Sequence, residues 1–404
     1  MGKRGFLSVI VVAIFLNSIF AVSDYSELSD AKRVLFADSE PELLISAGSA
    51  TGHVNGSEIE WTPQGIVVAG DTRNDLDFGG IQLQATSGYN QFLDADSYVA
   101  MIDEQGNWQW AVMPLATQGL TLINDMTTDL AGDIYIGGMV FGQVAFGSSS
   151  NSQVLQSQNF DGFVAKLDAS GQWLWATSFS TATNNDSNQS SVTGIDFDPY
   201  SGNLIVVGTH QGPTDFGGIS HTSSDNDVFM GSFNTNSGAL NSVSTAGGIG
   251  DDRASGVVVD SYGNIWQTGT TSGTFSGNGK THQALSQADT ILVKWSQGGV
   301  VQSVKGFVSA AGEINLPEDI TINSNDDIIV GGVFLGSMDA GNQNTLTDKG
   351  NGDAYVVKVA NNGQTDWAVS AGSSASTERA YAVEVTSNGD IMVGGLISGS
   401  ADFG

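Results

Sequence analysis

The feature of this sequence that most constrains its fold is an internal repeat of about 64 residues. In its clearest copies, Asp96–Ala111 and Asp161–Ala176, an Asp begins an alternating segment that passes through a Gly turn into a second such segment. Weaker copies give five anchors separated by 65, 66, 62 and 64 residues, namely Asp96, Asp161, Asp227, Asp289 and Asp353. Self-similarity at a fixed period is the signature of a fold built from stacked supersecondary units.

A second segment alternates with the first and consists of two strands joined by a tight Gly, Asn or Asp turn. Two clear copies are Gly194–Gly208 and Gly256–Gly269, and the chain holds six copies of this pair against five of the other. The turn residues tolerate positive φ, which suits hairpins between twisted strands. Each period therefore contains four short strands, which predicts an all-β fold. Four antiparallel strands repeated four to eight times are typical of a β-propeller, and the strict period disfavours the alternative, a sandwich.

The repeats predict six four-stranded blades, of which the last is incomplete. Their inner strands are expected at Glu58, Ile123, Val192, Gly256, Glu318 and Tyr381. The segment Leu43–Ser49 resembles Trp367–Ser373, an expected outer strand, and it precedes the first inner strand. Open sheet edges promote aggregation, so we expect this segment to close the ring as the outer strand of the last blade. The sequence stops before a third strand of that blade, so we expect the natural protein to continue, with that strand or with a seventh blade.

The repeat also resembles a known family. Val164–Ala176 (Val-Ala-Lys-Leu-Asp-Ala-Ser-Gly-Gln-Trp-Leu-Trp-Ala), followed by Gly194–Gly208, is similar to the secreted β-propeller repeat proteins of bacteria and archaea, which have a seven-bladed-propeller type of repeat. The resemblance covers nearly all of residues 43–404. It implies a propeller and an exported or cell-surface location, and it implies no activity.

The N-terminus has the pattern of an export signal. Lys3 and Arg4 precede an apolar run, Gly5–Val22, and small residues at Ala21 and Ser23 form a cleavage site. We therefore expect a signal peptide at 1–23, a leader at 24–42, a repeat domain at 43–404 and a secreted or cell-surface protein without membrane insertion after cleavage. An uncleaved anchor helix is the alternative, because the run is near the lower length for spanning a bilayer.

Charge excludes two classes of partner. The chain has 13 Lys and Arg against 43 Asp and Glu, a formal net charge of −30. Nucleic-acid backbones and anionic membrane surfaces would repel such a protein. Disorder is also excluded, because 19 Phe, 8 Tyr and 8 Trp supply ample apolar area to bury.

Two arginines occupy matching places in the repeat and give the candidate ligand site. Arg253 follows Asp252, and Arg379 follows Glu378, just before an expected inner strand. The four residues would either form ion pairs and bonds to the neighbouring blade, or contact an anionic ligand near the central channel. Calcium is the one cofactor that the sequence leaves open, because acidic turns supply the oxygen ligands it takes. Its candidates are Asp215, Asp225 and Asp227, which would equally cap their own turns.

Two recurrent motifs have structural interpretations. Asp77-Phe-Gly79, Asp215-Phe-Gly217 and Asp402-Phe-Gly404 resemble the metal-binding triplet of kinases, whose other motifs are absent from the sequence. We expect a turn with an anchoring Phe. The pairs Trp108/Trp110 and Trp173/Trp175, with Trp367 matching the second member, are expected to pack between blades, and stacking on sugar rings is the alternative.

The sequence favours a non-catalytic protein, although it leaves an enzyme open. Cys is absent, and neither the Gly-x-Ser-x-Gly nor the His-Glu-x-x-His motif occurs. We expect an extracellular binding, adhesion or surface scaffold module with an unidentified glycan or protein ligand. The ligand should bind the long b–c loops, such as Asp71–Ala95 and Phe141–Phe160, and the d–a loops on the same face. The alternatives are a polysaccharide lyase or hydrolase that uses carboxylates around the channel, and a wall component of a larger protein.

Overall fold

Each of the first five repeats folds into one antiparallel sheet, or blade, whose four strands are named a to d in chain order. The computed structural model describes residues 11–12, 44–45, 54–86, 95–147, 152–181, 188–374 and 377–397. Blade 1 consists of Val54–Thr62, Gly65–Thr72, Asp96–Ile102 and Trp108–Val112; blade 2 of Leu115–Thr128, Ile134–Phe146, Gln153–Leu167 and Trp173–Ser178; blade 3 of Gln189–Asp198, Asn203–Asp215, Ser220–Asn234 and Leu240–Ile249. Blade 4 consists of Asp252–Val259, Ile265–Thr271, Asp289–Trp295 and Val301–Ser309; blade 5 of Ile314–Ile322, Ile328–Leu335, Asp353–Val359 and Thr365–Ala371.

The blades follow one another around a common axis in a β-propeller arrangement. Strand a of each blade contacts strand a of the next blade, so these strands are the inner ones, as the sequence predicts. Apolar residues at alternate positions of strands b and c pack in clusters that join neighbouring blades. Of the residues that the structure describes, none lies in a helix long and apolar enough to cross a lipid bilayer.

The prediction of six blades is wrong, because the described residues form five. The sixth repeat supplies a two-stranded hairpin, Arg379–Val385 with Ile391–Leu396, which we call the final hairpin. It forms because its turn is locally encoded: the Gly389 N–H donates to the Thr386 carbonyl over 2.8 Å. A four-stranded blade also needs strands c and d, and within the described ranges no third strand pairs with this hairpin.

The expected ring closure stays a prediction, because most of Leu43–Ser49 lies outside the described residues. The two residues of this segment that the structure describes, Leu44–Ile45, pair in parallel with Val11–Val12. The rest of Leu43–Ser49, most of the expected signal peptide and leader, and Ala401–Gly404 lie outside the described residues.

Each blade has an additional hairpin between its strands b and c, and in blades 3, 4 and 5 this hairpin pairs with a segment of the blade before. In blades 1, 4 and 5 it has its own short strands, which are Leu76–Phe78 with Ile81–Leu83, Thr274–Gly277 with Lys280–Gln283, and Ser337–Asp339 with Thr345–Thr347. In blades 2 and 3 it is an extension of strands b and c. In blades 4 and 5 the end of the preceding strand d pairs with it, as Gly247–Ile249 does with Thr274–Ser276 in blade 4. In blade 3 the short strand Ser180–Thr181, which follows strand d of blade 2, takes this role by pairing with Thr214–Asp215.

One apolar side chain anchors this hairpin in each blade. These side chains are at most 1% exposed and are Phe78, Phe146, Phe216, Phe275 and Met338. In two blades the preceding Asp caps the turn: Asp77 accepts the Gly80 N–H over 2.6 Å, and Asp215 accepts the Gly217 N–H over 3.0 Å. The interpretation of Asp-Phe-Gly as a turn with an anchoring Phe is therefore confirmed for the two copies within the described residues.

Candidate functional site

Every inner strand carries a β-bulge at the same point of the repeat. The bulged residues are Ser57, Asn124, Thr193, Ser255, Glu318 and Tyr381. A bulge places two residues opposite one on the partner strand and redirects the side chains around it. The residues from one to three places after the bulge include most of the acids of the inner strands.

Six acids of the inner strands influence one another across the ring, and we call them the channel carboxylates. They are Glu58, Glu60, Asp125, Asp196, Asp319 and Glu384. Burial, with repulsion from Asp125 and Asp319, raises the pKa of Glu58 to about 10. Burial, with repulsion from Glu384 and Asp196, raises the pKa of Glu60 to about 7. Acids of blade 3 and of the final hairpin therefore raise the pKa of a blade 1 carboxyl group, which places all these strands around one channel.

The remaining channel carboxylates also have raised pKa values, chiefly because burial penalises their charged forms. The pKa of Asp196 rises to about 7 and that of Asp319 to about 6. The pKa of Asp125 lies well above its ordinary value, and that of Glu384 is raised. Hydrogen bonds from backbone N–H groups lower these values in part without offsetting the burial.

Three channel carboxylates join one blade to the next through the backbone. Oδ2 of Asp125 accepts the Ile195 N–H over 2.6 Å, and Oδ2 of Asp196 accepts the Val259 N–H over 2.8 Å. Oδ2 of Asp319 accepts the Val383 N–H of the final hairpin, also over 2.8 Å. An inner-strand N–H without an acceptor would be costly, and a carboxyl oxygen accepts it whether or not the group holds a proton. These side chains therefore have a structural role at the blade junctions.

Sequence reasoning did not single out these inner-strand acids. The available signal was an Asp among apolar residues of an inner strand, as in the segment Gly194-Ile-Asp-Phe-Asp198. The neutral Asn124 at a bulge has the same function, because its Nδ2 donates to the Val192 carbonyl of the next blade over 2.7 Å.

The structure places the predicted ligand residues Asp252 and Glu378 at one repeat position, three residues before the bulge. Both are 0% exposed, so neither carboxylate faces the surface. Glu378 accepts hydrogen bonds from the N–H and the hydroxyl of Ser373 over 3.1 and 3.0 Å. The carboxyl group of Asp252 is fully buried, and this burial, with repulsion from Asp227, raises its pKa to about 7.

The two arginines at the next position form ion pairs. Arg253 pairs with Asp251 over 3.4 Å, and both side chains are about half exposed. Arg379 pairs with Glu318 over 2.8 Å and so links the final hairpin to blade 5. The ion-pair interpretation thus describes both arginines, and contact with an anionic ligand stays a prediction.

Two of the three calcium candidates lie together at the junction of blades 3 and 4. Asp225 and Asp227 are close enough to influence each other, and Asp227 also influences Asp252. Asp215 instead caps the turn of its own hairpin. Among the described residues, no group of three His, Asp or Glu side chains is placed to hold a metal ion. Calcium binding stays a prediction.

The paired tryptophans pack as expected. The Trp110 indole donates to the Ala169 carbonyl over 3.1 Å, and the Trp175 indole donates to the Thr235 carbonyl over 3.0 Å. Each acceptor belongs to the c–d turn of the next blade. The other members of the pairs stack edge-on against hairpin anchors, with Trp108 4.8 Å from Phe78 and Trp173 5.0 Å from Phe146 between ring centroids. Packing between blades is confirmed for Trp110 and Trp175, while Trp108 and Trp173 pack against the hairpin anchors of their own blades.

Comparisons with known proteins identify no family for this chain. No family model matches it, and no curated protein matches it. A Bacteroides caccae protein of unknown function aligns at 11% identity and a TM-score of 0.33, covering 70% of this chain and 92% of its own. The quinohemoprotein alcohol dehydrogenase of Comamonas testosteroni aligns at 10% identity and a TM-score of 0.35, over 75% and 55%. The exo-inulinase of Aspergillus awamori aligns at 10% identity and a TM-score of 0.32, over 78% and 64%.

Proposed function

We propose that this protein is a non-catalytic binding or scaffold module that is exported and acts at or outside the cell surface. The observation that supports it is the structural use of the channel carboxylates Asp125, Asp196 and Asp319, which bond the backbone of the next blade. These are the groups that a propeller enzyme acting on polysaccharide would draw on for general acid and base chemistry. Export is supported by Lys3, Arg4 and the apolar run that follows them.

The partner in this proposal is an extracellular glycan or protein that binds the face holding the b–c hairpins. The anchors of these hairpins are buried, while their turns extend outward: a Cβ at Gly80 or Gly218 would meet nothing within 4 Å. A rigid scaffold that presents open turns is a common arrangement for recognition, because the turns vary without cost to the core. The charge of −30 favours a neutral or cationic partner.

A second candidate function is cleavage of a polysaccharide, and Glu58 and Glu60 support it. Their raised pKa values, about 10 and about 7, leave Glu58 protonated and about half of the Glu60 groups protonated near neutral pH. A protonated carboxyl group is what a general acid needs to assist departure of a sugar leaving group. Glu60 is the better candidate, since its pKa lies nearer the working pH.

One experiment separates the two functions. The chain is tested for binding to a panel of extracellular glycans and surface proteins, and for release of new sugar ends from the same glycans. Binding without product supports the module. Product release that is lost in Glu60→Gln, but kept in a control with the exposed Glu104→Gln, would contradict it and support cleavage. Neither binding nor product across the panel would contradict both.

Export and calcium binding have their own tests. Secreted protein is expected to begin at Asp24, and material with an intact Met1 would contradict a cleaved signal. If calcium binds at Asp225 and Asp227, the thermal midpoint rises with added calcium and falls with chelator. An unchanged midpoint would remove calcium from the proposal.

A further inference from the structure

The second strand of the final hairpin exposes side chains that the other blades bury. Met392, Val393 and Leu396 are 47%, 36% and 44% exposed. The residues at the same repeat positions in blade 5 are Ile329, Val330 and Val333, which are 0%, 0% and 1% exposed. Burial of such side chains is the main source of stability in a sheet protein. The second strand of the final hairpin therefore buries less apolar surface than its counterpart in blade 5.

In all five blades strand c pairs with strand b and buries its apolar side chains. In blade 5, Ile328 pairs with Val359 at one end and Phe334 pairs with Asp353 at the other. In blades 1, 4 and 5 strand c begins with Asp, and that Asp pairs with the end of strand b, as Asp96 does with Thr72 and Asp289 with Thr271. Within the described ranges, Ile391–Leu396 pairs with Arg379–Val385 on one edge alone.

A tryptophan beside the final hairpin occupies a repeat position that contacts the next blade elsewhere in the molecule. Trp367 pairs with Lys358 in blade 5, as Trp175 pairs with Lys166 in blade 2. In blades 1 and 2 this tryptophan packs on the c–d turn of the next blade, where a Cβ at Gly171 or Gly238 would lie 2.7 or 2.6 Å from the indole ring. The repeat thus places Trp367 where the c–d turn of a sixth blade would rest.

We propose that Ile391–Leu396 and Trp367 form a docking site for one further c–d hairpin of this repeat type. The occupant is an antiparallel strand pair that alternates apolar residues and turns through Gly, because strand b of this molecule already pairs with such a hairpin in five blades; in blades 1, 4 and 5 that hairpin begins with Asp. Strand c adds to the open edge of Ile391–Leu396 and covers its apolar side chains, and the c–d turn contacts Trp367. This surface is distinct from the face of the b–c hairpins.

The test adds a synthetic c–d hairpin to the full chain. The probe is a peptide with the sequence of Asp227–Ala246, the strands c and d of blade 3, which contains no Trp. Hydrogen exchange reports on the amides of Ile391–Leu396, and tryptophan fluorescence reports on Trp367. At saturation, one peptide per chain should bind, and alternate amides of Ile391–Leu396 should exchange about tenfold more slowly. A peptide of the same composition in shuffled order should do neither.

Two variants of the chain identify the site. Val393→Lys should weaken peptide binding about tenfold, because it puts a charge into the covered strand. The control Leu130→Lys changes a turn residue that is 83% exposed in blade 2 and should leave binding unchanged. Exchange at Arg379–Val385 shows whether the final hairpin stays folded in Val393→Lys. Trp367→Phe should remove the fluorescence change while binding persists.

Several results would overturn the proposal. They are equal binding of the shuffled peptide, peptide binding that leaves Ile391–Leu396 unprotected, and no binding by a chain whose final hairpin is folded. Concentration-dependent dimers that protect Ile391–Leu396 without peptide would make a second copy of the chain the occupant, and would overturn it as well.

Discussion

Two segments of this molecule have almost the same sequence and very different surroundings. Asp327–Gly332 and Asp390–Gly395 differ at one residue, Ile329 against Met392. Each follows a tight turn and pairs with its own strand a with a bulge at the same point. The first becomes a buried central strand of blade 5, and the second becomes an exposed strand of the final hairpin. Local sequence therefore determines the strand and its hairpin, while burial depends on strand c and on the neighbouring blades.

The largest expected effect comes from one charge placed at equivalent positions of the two segments. Val330→Asp puts a carboxylate into a site that is 0% exposed and should lower the free energy of unfolding by about 3–5 kcal/mol. Val393→Asp, at a position that is 36% exposed, should lower it by no more than about 1 kcal/mol. Urea unfolding of both variants measures the difference. Equal losses would show that the two strands are equally covered in solution.

The same reasoning applies to turn glycines with similar backbones and different neighbours. Gly171 and Gly363 both lie in c–d turns, with φ of +81° and +84°. A Cβ at Gly171 would lie 2.7 Å from the Trp110 ring, whereas a Cβ at Gly363 would meet nothing within 4 Å. Both Ala variants carry the strain of positive φ, and Gly171→Ala adds a clash. Thermal or urea unfolding should show Gly171→Ala less stable than Gly363→Ala by about 1–2 kcal/mol. Equal stabilities would argue against the packing of Trp110 on the next blade.

A smaller, pH-dependent effect should separate two channel carboxylates at one repeat position, Asp196 in blade 3 and Glu384 in the final hairpin. Burial raises the pKa of Asp196 from 3.8 to about 7, so the folded state holds its proton more tightly than the unfolded state does. The resulting stability is present at low pH and is lost as the pH rises from about 4 to about 7. The protein should therefore be more stable near pH 5 than near pH 8.

Variants at Asp196 and Glu384 show which carboxyl group causes the pH dependence of stability. Asp196→Asn keeps an acceptor for the Val259 N–H and removes the buried charge, so it should stabilise the protein by about 1 kcal/mol near pH 8 and flatten the pH dependence. Glu384→Gln should change the pH dependence less than Asp196→Asn does, because fewer blades surround Glu384. Unfolding midpoints of both variants at the two pH values provide the test. A steeper dependence in Asp196→Asn would contradict the assigned sign.

The sequence was sufficient for the features that depend on neighbours along the chain. The turn at Gly389, the anchoring Phe78 and Phe216, and the packing of Trp110 and Trp175 all follow from repeat position and residue type. The bond from the Val259 N–H to Asp196 was not predictable, because it depends on how closely two blades approach, and the two residues are 63 positions apart. The burial of Asp252 and Glu378 was missed for the same reason, since residues of the preceding blade enclose them. The count of six blades failed because it assigned a blade to each inner-strand pair, whereas the sixth pair, Arg379–Val385 with Ile391–Leu396, has no third strand among the described residues.

Native-state hydrogen exchange of the unmodified chain tests most directly the claim that neighbouring strands, and not local sequence, determine burial. The amides of Ile328–Leu335 should exchange about a hundredfold more slowly than those of Ile391–Leu396, because strand b of blade 5 opens only when its blade does. The comparison is sharpest between Val330 and Val393, which share sequence context and register. Equal exchange at these two residues would contradict the claim, because it would show that the final hairpin is as well covered as a complete blade.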